Sequence, residues 1–363
     1  MPFYKDIYPN TPSGKRTIER LLQLRQQLDA EVPQKSAEKT FLLASWNIRE
    51  FDSPAYGDRI PEAFYYIAEI VARFDLIAIQ EVRQDLRALY RLMDILGGNW
   101  DCIFSDVTEG TQGNGERMAF VFDKRKARAG GLTGQLVLPP IETKDAEGKT
   151  IYQPATQVVR TPLIAGFKTG WTDFILTTVH ILYGEGKAES SPRVEEIRQV
   201  AQDLKRRSED PFEWSRNLIL LGDFNIFSPT DQTMKMITDA GFVVPPELQR
   251  LPSNIAQNKY YDQIAFRVRP GRFSTTGKAG VFNYYKTVFK PEDEAIYVAE
   301  MGTAYQKTSD GKARQNTALY YLNYWRTFQM SDHLPMWVEL KVDFSDEYLE
   351  GKLQPKEVLE KKS

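Results

Sequence analysis

The sequence predicts a mixed α/β fold, in which parallel and antiparallel strands share the sheet, and three observations predict it. From Phe41 onward, short apolar runs alternate with amphipathic helical stretches, as in parallel strands joined by crossover helices. In the middle of the chain WDCIFSDV, RMAFVFD, GQLVL, TPLIAGF and DFILTTVHI follow one another with only turns or loops between them, which predicts antiparallel pairing. A second strand–helix step, NLILLGDFN then TDQTMKMITDAGF, comes later, so two strand–helix halves face each other in the sequence.

Composition fits this reading. The chain has 363 residues, 42% hydrophobic and 26% charged, enough to bury a substantial core and too apolar for disorder. No stretch approaches the ~20 uncharged apolar residues of a membrane span, and the opening residues lack the apolar core of an export signal, so no membrane partner is expected. The single cysteine, Cys102, can form neither an intramolecular disulfide nor a cysteine metal cluster; a reducing, cytoplasmic setting is expected. With 47 Lys+Arg against 49 Asp+Glu there is no global basic footprint. Contact with a polyanion must therefore come from local arginines or a bound cation.

In chain order, residues 15–38 read as an amphipathic helix with Ile18, Leu21, Leu22, Leu24 and Leu28 on a broad face. Residues 1–39 are taken as a helical appendage, 40–342 as the main domain, and 343–363 as a charged peripheral tail. FLLASWNI is the first strand. PEAFYYIAEIVARF follows as a helix facing inward with Phe64, Ile67, Ala68 and Val71. After the strand DLIAIQEV, DLRALYRLMDIL aligns Leu86, Leu89, Tyr90 and Met93. The charged helix SPRVEEIRQVAQDLKRRSED turns Val194, Ile197, Ala201 and Leu204 inward. YYDQIAFRV, a Gly-rich strand candidate near Arg272 and SDHLPMWVELKV complete the strands; in the aromatic segment 283–330 before the last, FNYYKTVF is read as core packing ahead of a stacking platform or membrane contact, and residues 283–328 are expected to flank the site and shape substrate choice.

The polar residues of interest sit at the ends of apolar strands. Asn47 ends FLLASW, Glu81 ends LIAIQ, His180 ends FILTTV, and Asp223 and Asn225 end LILLG. Any one alone has an ordinary explanation in turns and helix caps. Together they line one rim. In Asp223-Phe224-Asn225 the period-2 geometry puts both polar side chains on one face, and Gly222 lets another group approach the backbone. The chain's only histidines, His180 and His333, both adjoin apolar strands. If the strand after Ser331-Asp332-His333 runs antiparallel to the others, its start lies beside their ends, and Asp262 reaches the same rim for the same reason. There is no His-x-x-x-His or Cys-rich spacing for zinc, whereas Asn, Glu and Asp oxygens suit magnesium or manganese.

SWNI, IQEVR, the strand-end VH, GDFN, YDQI and SDHLP resemble the signature blocks of the DNase I-like endonuclease/exonuclease/phosphatase superfamily, in order and in rough spacing, over about residues 40–342. The resemblance implies a four-layer α/β sandwich, two packed mixed β-sheets flanked by helices, with the active site along one edge. It implies a Mg2+- or Mn2+-dependent phosphodiesterase, with Glu81, Asn47 and Asp332 at the metal. Asp223 and Asn225 would hold a second metal, or the attacking water and phosphate oxygens. His333 would be the general base oriented by Asp262, and His180 would hydrogen-bond the scissile phosphate with Glu116 as its acidic partner. Within the superfamily the motifs lean toward deoxyribonuclease I. Arg83 after IQEV resembles a minor-groove arginine and Arg160-Thr161-Pro162 an Arg-x-Pro strand entry, so a DNA substrate and endonuclease activity are expected. Two features depart from that pattern: no tyrosine stands near Asn114 and Gly115 to stack on a sugar, and the disulfides of the secreted enzyme are absent. A lipid or small-molecule phosphoester, as for sphingomyelinase-like or inositol-phosphate phosphatase-like enzymes, is the alternative.

Overall fold

The computed structural model describes residues 2–51, 53, 57–269 and 273–353. Helix α1 (Pro12–Glu31) opens on Thr11, whose hydroxyl accepts the Gly14 amide at 3.0 Å. It stops at Glu31 rather than residue 38, because Pro33 drives Val32 into an extended conformation. Leu21, Leu24 and Leu28 are buried as expected, while Leu22 is exposed.

Then follow β1 (Thr40–Phe51), α2 (Pro61–Arg73), β2 (Leu76–Arg83), α3 (Arg87–Leu96), β3 (Trp100–Phe104) and β4 (Glu116–Asp123). The buried face of α3 is Leu89, Leu92, Ile95 and Leu96, while Tyr90 points to solvent. Next come β5 (Arg128–Gln135), a two-stranded hairpin of β6 (Ile141–Lys144) and β7 (Thr150–Gln153), then β8 (Leu163–Thr169), β9 (Thr172–His180) and α4 (Ser191–Glu209). β5 starts earlier than the expected GQLVL. The chain continues through β10 (Leu218–Asp223), α5 (Gln232–Asp239), β11 (Asp262–Arg267) and β12 (Ser274–Val281). The strand candidate at Arg272 falls outside the described residues. Short helical turns fill most of 284–329 before β13 (Met336–Lys341) and a terminal helix, Ser345–Leu353.

The strands form a six-stranded sheet, β12-β13-β1-β2-β4-β3, and a five-stranded sheet, β11-β10-β9-β8-β5. Both are mixed: β1 is parallel to β2 and antiparallel to β13, and β10 is parallel to β9 and antiparallel to β11. Side-chain alternation assembles the layers. Phe41, Leu43, Leu76, Ala78 and Phe120 join the core shared with the second sheet and α4 and α5, whereas Leu42, Ala44, Trp46, Ile77 and Ile79 face α1, α2, α3 and the 283–330 segment. The result is the four-layer sandwich, helices outside and sheets inside. The aromatic segment packs inward: Tyr284, Phe289, Tyr297 and Tyr321 are fully buried in the second of these cores.

Candidate active site

Strand register brings the polar ends together. Asp223 stands opposite His180 on one side and Asp262 on the other, so three adjacent strands of the five-stranded sheet present these residues abreast. The six-stranded sheet supplies the facing set: Asn47 from β1, Glu81 from β2, Glu116 from β4 and His333 just before β13. Between Asn47 and Phe51, and between Ile79 and Val82, the register of β2 with its neighbours shifts. Glu81 there takes a left-handed conformation, φ 61°, and so does Asn225 beyond β10, φ 54°. Such irregularities re-aim a side chain at a cost of about 1–3 kcal/mol each, which the surrounding packing must hold.

Asn47 ties the sheets together. Its Nδ2 donates to Glu81 Oε1 at 2.8 Å and to Asp223 Oδ2 at 2.9 Å. Beneath this, Gln80 Nε2 donates across the sandwich to Thr178 Oγ1 at 2.8 Å. Two histidine–carboxylate dyads flank Asp223. His333 Nδ1 lies 2.7 Å from Asp262 Oδ2, and His180 Nδ1 lies 2.7 Å from Glu116 Oε2. The free Nε2 atoms both face Asp223 Oδ2, at 3.7 Å for His333 and 3.6 Å for His180. Glu116 is further held by Asn114 Nδ2 at 2.8 Å and Arg160 Nε at 3.1 Å. Asn225 donates its Nδ2 to the Ile181 carbonyl at 2.8 Å and its backbone N–H to Asp223 Oδ1 at 2.9 Å. The Asp332 carboxylate makes no hydrogen bond or ion pair among the described residues, yet it is close enough to act on Glu81.

A family model described as "Endonuclease/Exonuclease/phosphatase family" matches residues 44–287, more than half of the chain. The chain belongs to that family. A "Deoxyribonuclease" of Thioalkalivibrio sp. (strain K90mix) is 33% identical over 190 residues, 51% of this chain and 46% of that protein, so the match spans about half of each. Among solved structures, humanized D. rerio TDP2 superposes with a TM-score of 0.52 at 16% identity, covering 84% of this chain and 99% of the other. D. rerio TDP2 complexed with single strand DNA product gives 0.51 at 14% identity, covering 83% and 98%. These two likenesses bear on the fold, and they agree with the layers described above.

Carboxylates outnumber cationic groups at the rim, and each shifts its neighbours. Burial alone would raise the Glu116 carboxyl, but His180 and Arg160 outweigh it and hold it at about 2. Burial pulls both imidazoles down; Glu116 nevertheless raises His180, and Asp262 and Asp223 raise His333 well above its ordinary value. Glu81 is raised by burial, against the pull of His180, with Glu116 and Asp332 adding to the rise. A divalent cation fits. Asn47 Oδ1 is buried with no hydrogen-bond partner, beside the Glu81 carboxylate. Asp223, Asp262 and His333 also group closely enough, within 4.8 Å, to hold an ion. Their hydrogen bond spends His333 Nδ1 and Asp262 Oδ2 on each other, while Asp262 Oδ1, like Asn47 Oδ1, is buried without a hydrogen-bond partner.

Several neighbours were not singled out from the sequence. Tyr183, Phe227 and Tyr261 form a ring cluster with centroids 5.7–6.4 Å apart, and Tyr261 lies 5.4 Å from the His333 ring. Lys259 Nζ sits 3.9 Å above Phe227. Each ring follows or precedes a strand-end polar residue, a signal that could have been read. Tyr284 donates from below to the carbonyls of Ser331 and His333, both at 2.9 Å. The Ser331 hydroxyl donates to the Asn47 carbonyl at 2.6 Å. The aromatic segment thus supports the histidine turn from underneath.

Proposed function

We propose that this chain is a divalent-metal-dependent endonuclease that hydrolyses DNA phosphodiesters with a histidine-activated water. The observation that carries the reading is the pair of opposed dyads, two imidazole Nε2 atoms facing one carboxylate oxygen across the rim between the sheets. His333, oriented by Asp262, takes the proton of the attacking water at Nε2 in its neutral form, which a cation bound at the rim would favour by offsetting the carboxylates that raise it, while Asp223 accepts a hydrogen bond that steers that water. His180, held by Glu116, which raises its imidazole, donates from Nε2 to a non-bridging phosphate oxygen as charge gathers there, and Asn225 helps shape the same oxygen's surroundings. Glu81 and Asn47, with Asp332 alongside, would hold the cation, magnesium or manganese by the oxygen character of the set. When bound, such an ion stabilises charge on the phosphoryl oxygens.

DNA is favoured over a small phosphoester by the surroundings. Arg83 and Arg160 line the site, and the Tyr183, Phe227 and Tyr261 rings beside His333 offer faces on which a base can stack. The partial relative named a deoxyribonuclease and the TDP2 structure with a DNA product support the same substrate. Among the described residues no helix is long and apolar enough to cross a membrane. The test is purified protein with supercoiled plasmid, RNA, sphingomyelin and inositol phosphates, each with magnesium or with EDTA. Plasmid nicking that needs the metal is expected. Intact plasmid with rapid turnover of sphingomyelin or an inositol phosphate would replace this reading with the lipid or small-molecule one.

A further inference from the structure

Arg83 follows Glu81 by two residues, and two carboxylates clasp its guanidinium without using its donors. Nη1 lies 3.4 Å from Glu50 Oε2 and 3.8 Å from Glu116 Oε1, and it is buried with no hydrogen bond among the described residues. An arginine held this way has its charge balanced while its donor fork stays unspent, and that planar fork matches phosphate geometry. The two carboxylates differ. Glu116 is committed to His180, Arg160 and Asn114. Glu50 pairs through its carboxylate with Arg83 alone among the described residues. Its backbone is anchored, the N–H donating to Glu81 Oε2 at 2.8 Å and the carbonyl accepting from Arg59 Nη1 at 3.1 Å, with φ at 49°. The main chain is fixed beside the site, and the side chain is the part able to swing away.

We propose that Glu50 competes with a substrate phosphate for Arg83 and thereby sets the affinity for a polynucleotide. This rests on the nucleic-acid reading above. A phosphate flanking the one attacked displaces the Glu50 carboxylate charge for charge, so part of its attraction to Arg83 is spent on the exchange. A minimal phosphodiester has no second phosphate and leaves the Arg83–Glu50 pair intact. The same competition helps a polyanionic product leave, because Glu50 is at hand to reclaim the arginine.

The experiment compares Glu50→Gln, which keeps the shape and removes the charge, in the wild-type and Arg83→Ala backgrounds. It reads KM for a labelled oligonucleotide, and binding of the same oligonucleotide in EDTA wherever turnover is lost. In the wild-type background KM or Kd should fall about three- to tenfold, the size of an exposed-to-partly-buried charge effect. In the Arg83→Ala background that gain should vanish. An equal gain in both backgrounds would mean general repulsion and would overturn the proposal. Unchanged or weaker binding in the wild-type background would overturn it too, the latter making Glu50 a structural support for Arg83. Should Glu50→Gln not fold, Glu50→Asp, which shortens the reach, is put through the same double comparison. Cleaved oligonucleotide with unaltered KM sinks the exchange alone. Turnover of bis(4-nitrophenyl) phosphate with no cleavage or binding of any oligonucleotide sinks the nucleic-acid reading and the exchange with it.

Discussion

Replacing His333 by alanine removes the imidazole whose Nε2 faces Asp223 and leaves Asp262 buried without its partner. kcat should fall by roughly 10² or more with KM little changed, since general-base catalysis is worth ~10²–10⁴. A near-normal kcat where chemistry limits the rate would contradict the assignment. Glu116→Gln tests the opposite dyad through stability. The folded-state carboxyl sits at about 2, below its ordinary 4.5, so its stabilising contribution is present above pH 4.5 and is lost as pH falls toward 2. Urea unfolding should therefore show the variant weaker than wild type at pH 6, by about 3 kcal/mol at most, with the gap closing below pH 4.5. A pH-independent gap would mean that Glu116 stabilises by packing alone. Arg83 needs a different reading from a plain groove contact. Because it also touches Glu116, Arg83→Ala disturbs the support of His180 as well as substrate binding.

At the scale of elements, Gly222 is the tight point of β10. Its φ is +132°, and a Cβ there would meet the Val179 carbonyl oxygen at 2.1 Å. Gly222→Ala must push β10 from β9 one residue before the His180–Asp223 pairing. The expected result is a loss of about 1–3 kcal/mol in unfolding free energy, together with a lower kcat from the altered Asp223 position. Wild-type stability in chemical denaturation would refute this. The sheet strands were legible in the sequence wherever they are buried on both sides, as in DLIAIQEV and NLILLGDFN, since continuous apolar runs mark them. The β6–β7 hairpin was not, because most residues of IETK and TIYQ are exposed and their pairing leaves no apolar period. β5, running through GGLTG, has few side chains for a core to select. The strand-end residues of the site were legible because a polar group closing an apolar run is conspicuous. Glu50 and Asn114 were not, because their placement depends on contacts between strands and loops distant in sequence.

Across the whole molecule, α1 acts as a clamp. Arg16 bridges Glu62 of α2 at 2.5 Å and Glu300 of the aromatic segment at 2.6 Å, and Arg20 reaches Asp293 at 2.7 Å. Glu62 is almost fully buried, so removing its cation leaves the carboxylate with only the Tyr66 hydroxyl donating to it, at 2.9 Å. Arg16→Met should cost about 3–5 kcal/mol and lower Tm clearly in calorimetry. It should also reduce kcat, because the segment it fastens carries Tyr284 under the His333 turn. An unchanged Tm would show the clamp to be dispensable.

The placement of β13 bears on how the protein completes its fold during synthesis. This strand is not at the sheet's edge but between β12 and β1, with Leu340 paired to Phe41. Until it arrives, β1 presents an open row of peptide groups to any other strand in the vicinity, and the nascent sheet is exposed to mispairing. Closing so long a loop slows folding, because its entropic cost must be met before the non-local contacts reward it. His333 rides in on the same strand, three residues ahead of Met336. A partly made chain therefore holds Asn47, Glu81 and Asp223 but neither a finished sheet nor His333, and the rim between the sheets is complete only when β13 has found its place.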